Sequence, residues 1–576
     1  MTSLGSIVRR LKGKVEESKY SSYIRLIPYL TVALLAHLYV TLAFIHDVDR
    51  AIFPLVILIL AYLIIFYKIF AVPFLQQKHV KEKIKNARRT VFGLIQKIPF
   101  LEYIVGGVVL AGFFTWLIID CAGNYTRFRS LGGVLVFIII CILCSSNPGK
   151  IKWRPVFGGI ILQFTVGLLV LRWETGNQAL QTVSTEIVRF LHYTFVGTLQ
   201  TYGFIVKMPD ICGMAMAFVF TSLQIIIYFG AVVSVLYYYG IIQVVLSKVA
   251  WVMQHTIGTT AAESLNAAAC IFLGQTEAAI LIEPALLTMT DSEIHTVMTA
   301  GFACIAGSLF SAYIEFGACP THILSATVMS ASASLAISKI IYPEVQKSKQ
   351  KESKTFKFAA REANNLLECI SNGAVHSAQF IGAIAANLVV YTALLYLINS
   401  IMGWIGECVD IQDLSLNKLL GYAFFPLAYA MGTSDAEDPD VAIKETLKVA
   451  ELMGVKTVLN EFIAYQKLSE MVKTGELVGE RARMIATYAL CGFSNISMIG
   501  SQIGILTSMC PERKHSFSKV AVRALIAGIF SCFTTACVAG ILVSTPKACT
   551  STTDHGKCLD MYQLEDYYQR YINGTH

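Results

Sequence analysis

The chain has 576 residues, 55% of them hydrophobic and 15% charged, with a mean hydropathy of +0.60; soluble domains carry roughly 45–50% apolar and 25% charged residues, so a water-soluble fold is excluded. Low-complexity disorder is excluded by 33 Phe and 26 Tyr against 14 Pro. The balance of 46 basic and 38 acidic residues gives +8, but the bases gather between apolar runs, which marks membrane orientation and no nucleic-acid partner.

Residues 1–20 carry Arg9, Arg10, Lys12 and Lys14 with no short apolar core and no small-residue cleavage site, so no removable signal peptide is expected. Roughly 20 apolar residues cross a hydrocarbon core about 30 Å thick. Runs free of Asp, Glu, Lys and Arg predict single crossings at 28–45, 51–67, 103–119, 131–149, 155–171, 296–314, 316–338 and 524–546. The longer runs 211–247, 370–406 and 485–510 each hold at least one more, for eleven spans. The basic segment 74–100 and the basic N-terminus are placed in the cytoplasm. Parity then sets the sequon Asn124-Tyr125-Thr126 outside, 148–154 and 342–361 inside, and Glu407, Asp410 and Asp413 outside. The tail 547–576 is expected outside, with a second sequon at Asn573 and a candidate Cys549–Cys558 disulfide.

From about residue 200 the apolar runs are interrupted by polar residues, and polar groups in lipid generally line a cavity or a protein interior. Only 13 uncharged residues separate Glu263 from Glu277, too few for a crossing, so a hairpin that enters and returns is predicted. Its tip presents Gln275, Thr276 and Glu277 beside Gly274, which permits a bend. An amide, a hydroxyl and a carboxylate together suit a neutral polyhydroxylated ligand, each bond gaining strength in a dry site. A second short apolar piece is interrupted by Asn460-Glu461. Each Glu is followed by a polar interruption in a long apolar run, at Tyr313–Gly317 and Gly492–Ser497, 38 residues from Glu277 to Glu315 and 34 from Glu461 to Asn495. Two halves, each a hairpin plus a broken helix, are the pattern of a repeat-built transporter with its substrate near the midplane.

Other chemistry is weaker. The stretch 433–440, rich in Asp and Glu, lacks the alternation of a calcium loop and reads as a solvated loop. The histidines have no metal-ligand spacing, the fifteen cysteines form no CxxC pair, and there is no phosphate-binding GxxxxGK[ST]. Neither an enzyme nor a cofactor site is expected.

Gly274-Gln275-Thr276-Glu277, Asn460-Glu461-Phe462 and Ala486–Asn495 resemble the concentrative nucleoside transporters of animal type, with further likeness at Met298–Phe302, Thr507–Met509 and Ala521–Gly528. The resemblance covers about residues 100–545. It implies an all-α polytopic membrane protein, an inverted-repeat homotrimer with two re-entrant helical hairpins and broken helices, importing nucleosides across the plasma membrane by sodium or proton symport. It divides the chain into a cytoplasmic N-terminus with two accessory spans (1–100), scaffold spans and an interfacial helix (101–210), a first transport repeat with hairpin 1 (211–345), a second with hairpin 2 (346–546) and an extracellular tail (547–576). Carried over by position, Gln275 and Thr276 face the base, Glu277 with Asn495 or Glu461 faces the ribose, Phe493 packs nearby, and the coupling ion sits by Leu273 and Glu315.

Departures from the family pattern bear on coupling. Cys270 stands where Asn is usual, Glu315 where Ser is usual and Met498 where a substrate-contacting Ser is common. A hard cation prefers oxygen to a thiol, whereas a carboxylate restores charge or takes a proton. Ion choice therefore stays open, and an uncoupled facilitator or sensor is the alternative function.

Overall fold

The computed structural model describes residues 21–46, 115–205, 217–349, 365–411 and 414–546, with isolated positions between 51 and 66 and at 112 and 363. The basic segment 74–100, the Asn573 sequon and the Cys549–Cys558 pair lie outside the described residues. Among the described residues every regular element is helical, the form in which a chain satisfies its own backbone polar groups without water.

The chain divides into two compact units, one up to Trp116 and one from Leu117 onward. In the first, α1 (Ser21–His46) leaves Leu30, Leu34, Leu35 and Ile45 exposed, a surface suited to lipid rather than water. The second begins with α2 (Tyr125–Leu143), capped by Asn124, whose Oδ1 accepts from the Thr126 amide at 3.1 Å. α3 (Trp153–Gly167) runs on as a π turn over Leu168–Arg172 and is followed by α4 (Glu174–His192) and α5 (Thr194–Tyr202).

The same order of elements then occurs twice. The first pass is α6 (Ile225–Tyr238), α7 (Ile241–Ile257), α8 (Ala261–Ala269), α9 (Gln275–Leu286), α10 (Asp291–Ala303), α11 (Phe310–Glu315) and α12 (Pro320–Ile341). The second is α13 (Leu366–Cys408), α14 (Leu416–Ala430), α15 (Pro439–Val458), α16 (Glu461–Lys473), α17 (Glu480–Leu490), α18 (Ile496–Met509) and α19 (Lys514–Leu542). In each pass two helices meet at a short turn, a broken helix follows, and a long helix closes the set. The closing helices α12 and α19 pack on each other, α10 packs on α19, and α17 packs on α12. The two passes thus exchange partners at the centre of the unit, where α12 is almost wholly buried and α19 is buried continuously from Phe530 to its end.

Five described helices are long and apolar enough to cross a membrane, namely Tyr125–Leu143, Trp153–Arg172, Pro320–Ile341, Leu366–Cys408 and Pro511–Leu542. A sixth arises if Ser222–Tyr238 and Ile241–Ile257 count as one span bent by 82°, the bend falling at Gly240 with φ +79°. The single crossing expected over 296–314 is corrected: α10 stops at Ala303, Cys304–Ala306 are not helical, and a 3-10 turn at Gly307–Leu309 leads into α11. No charge marks that break, so hydropathy alone runs straight through it.

The solvated loop expected at 433–440 is also corrected at its start. Thr433 and Ser434 are buried, and Ser434 donates to the buried Glu445, which also accepts from the Gly479 amide at 2.7 Å. From Glu437 onward the segment is exposed, and Asp438 caps α15 with Pro439 in its first turn. At the start of α8, Glu263 is fully buried and forms an ion pair with Lys339 of α12. Lys339 also donates to Ser292 at 3.0 Å, so the charge that limits the first hairpin is anchored within the protein.

Candidate functional site

The first hairpin turn, Cys270–Gly274, joins α8 to α9. Thr260 and Glu263 hold the start of α8 in a reciprocal box, the Thr260 amide donating to Glu263 Oε2 at 3.0 Å. Gln275, Thr276 and Glu277 form the first turn of α9, where free backbone N–H groups and the helix dipole favour an anionic side chain. The bend expected of Gly274 is not its role, since its φ of −70° and ψ of 169° suit any residue. Its lack of a side chain matters instead: a Cβ there would stand 2.5 Å from Glu277 Oε2. Gln275 is buried, Thr276 half-buried and Glu277 exposed. The carboxylate of the second turn, Glu461, differs in being wholly buried.

The second turn, Leu459-Asn460, joins α15 to α16. Asn460 caps α16, accepting from the Ile463 amide at 2.9 Å, which places Glu461 at the first helical position with no exposed surface. Asn495 Nδ2 donates to Glu461 Oε2 at 2.8 Å, and the Tyr313 hydroxyl lies 3.5 Å from Oε1. A buried charge left unpaired is costly. Lys456, fully buried one turn back on α15, donates to the Ala489 carbonyl at 2.9 Å near the end of α17, so a cation and a helix C-terminus stabilise each other beside the acidic group.

The breaks in the two broken helices lie against each other. The Phe493 amide donates to the Cys304 carbonyl at 3.4 Å, and Cys532 of α19 donates to the Cys491 carbonyl at 3.0 Å and to that of Ala303 at 3.6 Å. Gly492 makes this approach feasible. Its φ is +144°, and a Cβ would meet Cys532 Sγ at 2.7 Å and the carbonyl oxygens of Phe302 and Ala303 at 3.0 Å. Phe493 is buried beside it.

Contacts connect Gln275, Asn495 and Glu461 of the expected residues. Gln275 Nε2 donates to Met498 Sδ at 3.4 Å, the Met498 amide donates to Asn495 Oδ1 at 3.0 Å, and Asn495 reaches Glu461. The first hairpin turn, the start of α18 and the start of α16 therefore meet in one place. Thr276 and Glu277 follow Gln275 in the first turn of α9. Leu273 is buried in the first turn and Glu315 is the last residue of α11; the Glu315 side chain lies outside the described residues, so no ion geometry connects the pair. Cys270, where an oxygen ligand was expected to be missing, is buried, and Asn266 Nδ2 approaches its sulfur at 3.8 Å. Among the described residues no group of three or more His, Cys, Asp or Glu side chains is arranged to hold a metal ion. Tyr313 and Lys456 had not been singled out as site residues from the sequence. Tyr313 stands in the polar interruption beside Glu315, which was the available signal.

Residues 132–205 match the family described as "Na+ dependent nucleoside transporter N-terminus", 219–319 match "Nucleoside recognition", and 322–540 match "Na+ dependent nucleoside transporter C-terminus". Sodium/nucleoside cotransporter 2 of Rattus norvegicus is 41% identical over 503 residues, covering 85% of this chain and 73% of the rat protein. The chain belongs to the Na+-dependent nucleoside transporter family. Sodium/nucleoside cotransporter 1 of Sus scrofa is 44% identical over 452 residues, covering 76% of this chain and 67% of its own length. Among solved structures, CNTnw in an inward-facing substrate-bound state superposes with a TM-score of 0.66 at 31% identity, covering 72% of this chain and 99% of that one. A doubly substituted CNTnw in an outward-facing state gives 0.68, covering 74% and 100%. This member of the family carries the all-helical fold of those structures. Its hairpin turns, helix breaks and the contacts between them all lie within the matched segments.

Proposed function

We propose that this chain imports nucleosides by sodium symport, with Glu461, Asn495, Gln275, Thr276, Glu277 and Phe493 forming the binding site. The observation that carries the site assignment is the continuous chain of contacts from Gln275 through Met498 and Asn495 to the buried Glu461. A carboxylate accepts two hydroxyl donors of a ribose, and an amide reads the donor and acceptor edge of a base. The relatives are transporters named for sodium and nucleosides, which supports symport and argues against an enzyme.

The coupling ion sits near Leu273 and Glu315 in this reading, and Glu315 admits a proton as the alternative ion. We place the protein in the plasma membrane as a homotrimer, with its N-terminus in the cytoplasm and its tail outside. The functional division is that of the resemblance, with transport repeats at 211–345 and 346–546. The experiment is uptake of labelled uridine and adenosine into cells expressing the wild type and Glu277→Gln, in sodium and in choline, at pH 5.5 and 7.5. Sodium-dependent uptake that the variant loses supports the reading. Undiminished uptake by Glu277→Gln removes that residue from the site, and uptake that no ion gradient concentrates supports an uncoupled facilitator.

A further inference from the structure

Two buried amide oxygens near the first hairpin turn have no hydrogen-bond partner: Gln275 Oε1 and Gln502 Oε1. Both side chains are more than nine-tenths buried, at 7% and 4% exposure. They belong to different elements, α9 and α18, yet both border Gly301 of α10. A Cβ at Gly301 would stand 3.2 Å from the Gln275 Cβ and would overlap Gln502 Nε2. Glycine at 301 thus leaves the space into which the Gln502 amide fits. Gln502 lies two turns along α18 from the capping Asn495, and Met498 sits between them at helical spacing, so the three share a face.

The orientation of Gln275 follows from chemistry. A thioether has no proton to give, so only the amide NH2 can face Met498 Sδ, and the carbonyl oxygen is turned away from it. An acceptor buried without a donor costs stability, and two such acceptors on side chains that border the same glycine call for a ligand that supplies N–H groups. We infer that Gln502 is a specificity-determining residue that, together with Gln275, reads an exocyclic amino group on the nucleobase. An NH2 group has two protons and can serve both oxygens at once. A base without that group leaves one or both oxygens unpaired. This rests on the nucleoside-binding reading of the same site.

The test compares adenosine with purine riboside, and cytidine with zebularine, pairs that differ by the amino group alone. Uptake is measured in wild type and in Gln502→Met, which keeps the volume and removes the acceptor, with surface expression quantified for each. One neutral hydrogen bond in a dry site is worth about tenfold. The wild type is expected to favour the amino-bearing partner by about tenfold or more in kcat/KM. Gln502→Met is expected to bring that ratio near unity while transport of purine riboside persists. Equal handling of adenosine and purine riboside by the wild type overturns the inference, and needs no variant to fold. An unchanged ratio in Gln502→Met overturns the role of that residue. A wild type that takes up none of the four compounds contradicts the transport reading itself, which separates the two failures.

Discussion

Asn495 serves Glu461 and its own helix with opposite ends of one amide. Its Oδ1 accepts from the Met498 amide at 3.0 Å and from the Ser497 hydroxyl at 2.6 Å, while its Nδ2 donates to Glu461 Oε2 at 2.8 Å. The start of α18 and the buried carboxylate at the start of α16 are therefore set by the same side chain. Movement of one helix end relative to the other breaks a charge-assisted bond, worth about 1.5–3 kcal/mol.

Two substitutions separate these roles. Serine still caps a helix but has no amide to donate, whereas alanine does neither. Asn495→Ser is expected to retain a thermal midpoint near that of the wild type and to lose at least about tenfold in nucleoside uptake, from the lost bond to Glu461. Asn495→Ala should also lower the midpoint, losing a further cap contribution of about 0.5–2 kcal/mol. Fluorescence-detected unfolding and uptake on the same samples check both, and wild-type uptake by Asn495→Ser would mean that Glu461 does not need its donor.

Tyr313 offers a graded comparison. Its hydroxyl is 3.5 Å from Glu461 Oε1, a weak geometry, while its ring packs on Tyr465 at 4.7 Å and Phe462 at 5.3 Å. Tyr313→Phe keeps the packing and is expected to cost less than about fivefold in uptake, well below one full bond. Kinetics of Tyr313→Phe beside Asn495→Ser give the ranking, and a larger loss for Tyr313→Phe contradicts it.

Gly492→Ala tests the crossing of the two breaks. The added methyl meets Cys532 Sγ and two carbonyl oxygens at a φ of +144°. Backbone strain of this kind costs about 1–3 kcal/mol before any clash is counted, so a lower unfolding midpoint and reduced surface expression are expected. An unchanged midpoint would show that the breaks separate more readily than their contacts indicate.

The Glu263–Lys339 pair is buried on both sides. Removing one partner strands the other charge, at a cost of about 3–5 kcal/mol, whereas replacing both relieves it. Lys339→Met is expected to express poorly, and Glu263→Gln with Lys339→Met to recover much of the folded protein. A double variant no better than the single one would mean that other partners, such as Ser292 at 3.0 Å from Lys339, hold the pair's place.

Much of this arrangement is legible in the sequence because polar residues in an apolar run are conspicuous. Glu277, Asn460, Glu461 and Asn495 interrupt hydrophobic stretches, and each stands at the start of a helix. The break at Cys304–Ala306 is different: its residues are apolar and small, so it is defined by tertiary contact with Phe493 and Cys532 and leaves no mark in hydropathy. Burial was equally hidden. Thr433 and Ser434 read as solvent-facing until Glu445, eleven positions on, closes over Ser434. Glu277 and Glu461 look equivalent as residues, yet one opens to accessible space and the other does not, a difference set by which elements pack over each turn.

The most direct measurement is accumulation of labelled uridine in proteoliposomes holding the wild-type chain or Glu461→Ala, with an inward sodium gradient and with sodium equal on both sides. Symport through this site predicts that the wild type raises the internal concentration above the external one only with the gradient, and that Glu461→Ala takes up nothing above empty vesicles. Accumulation by Glu461→Ala equal to the wild type, or a wild type that merely equilibrates under every gradient, would contradict it.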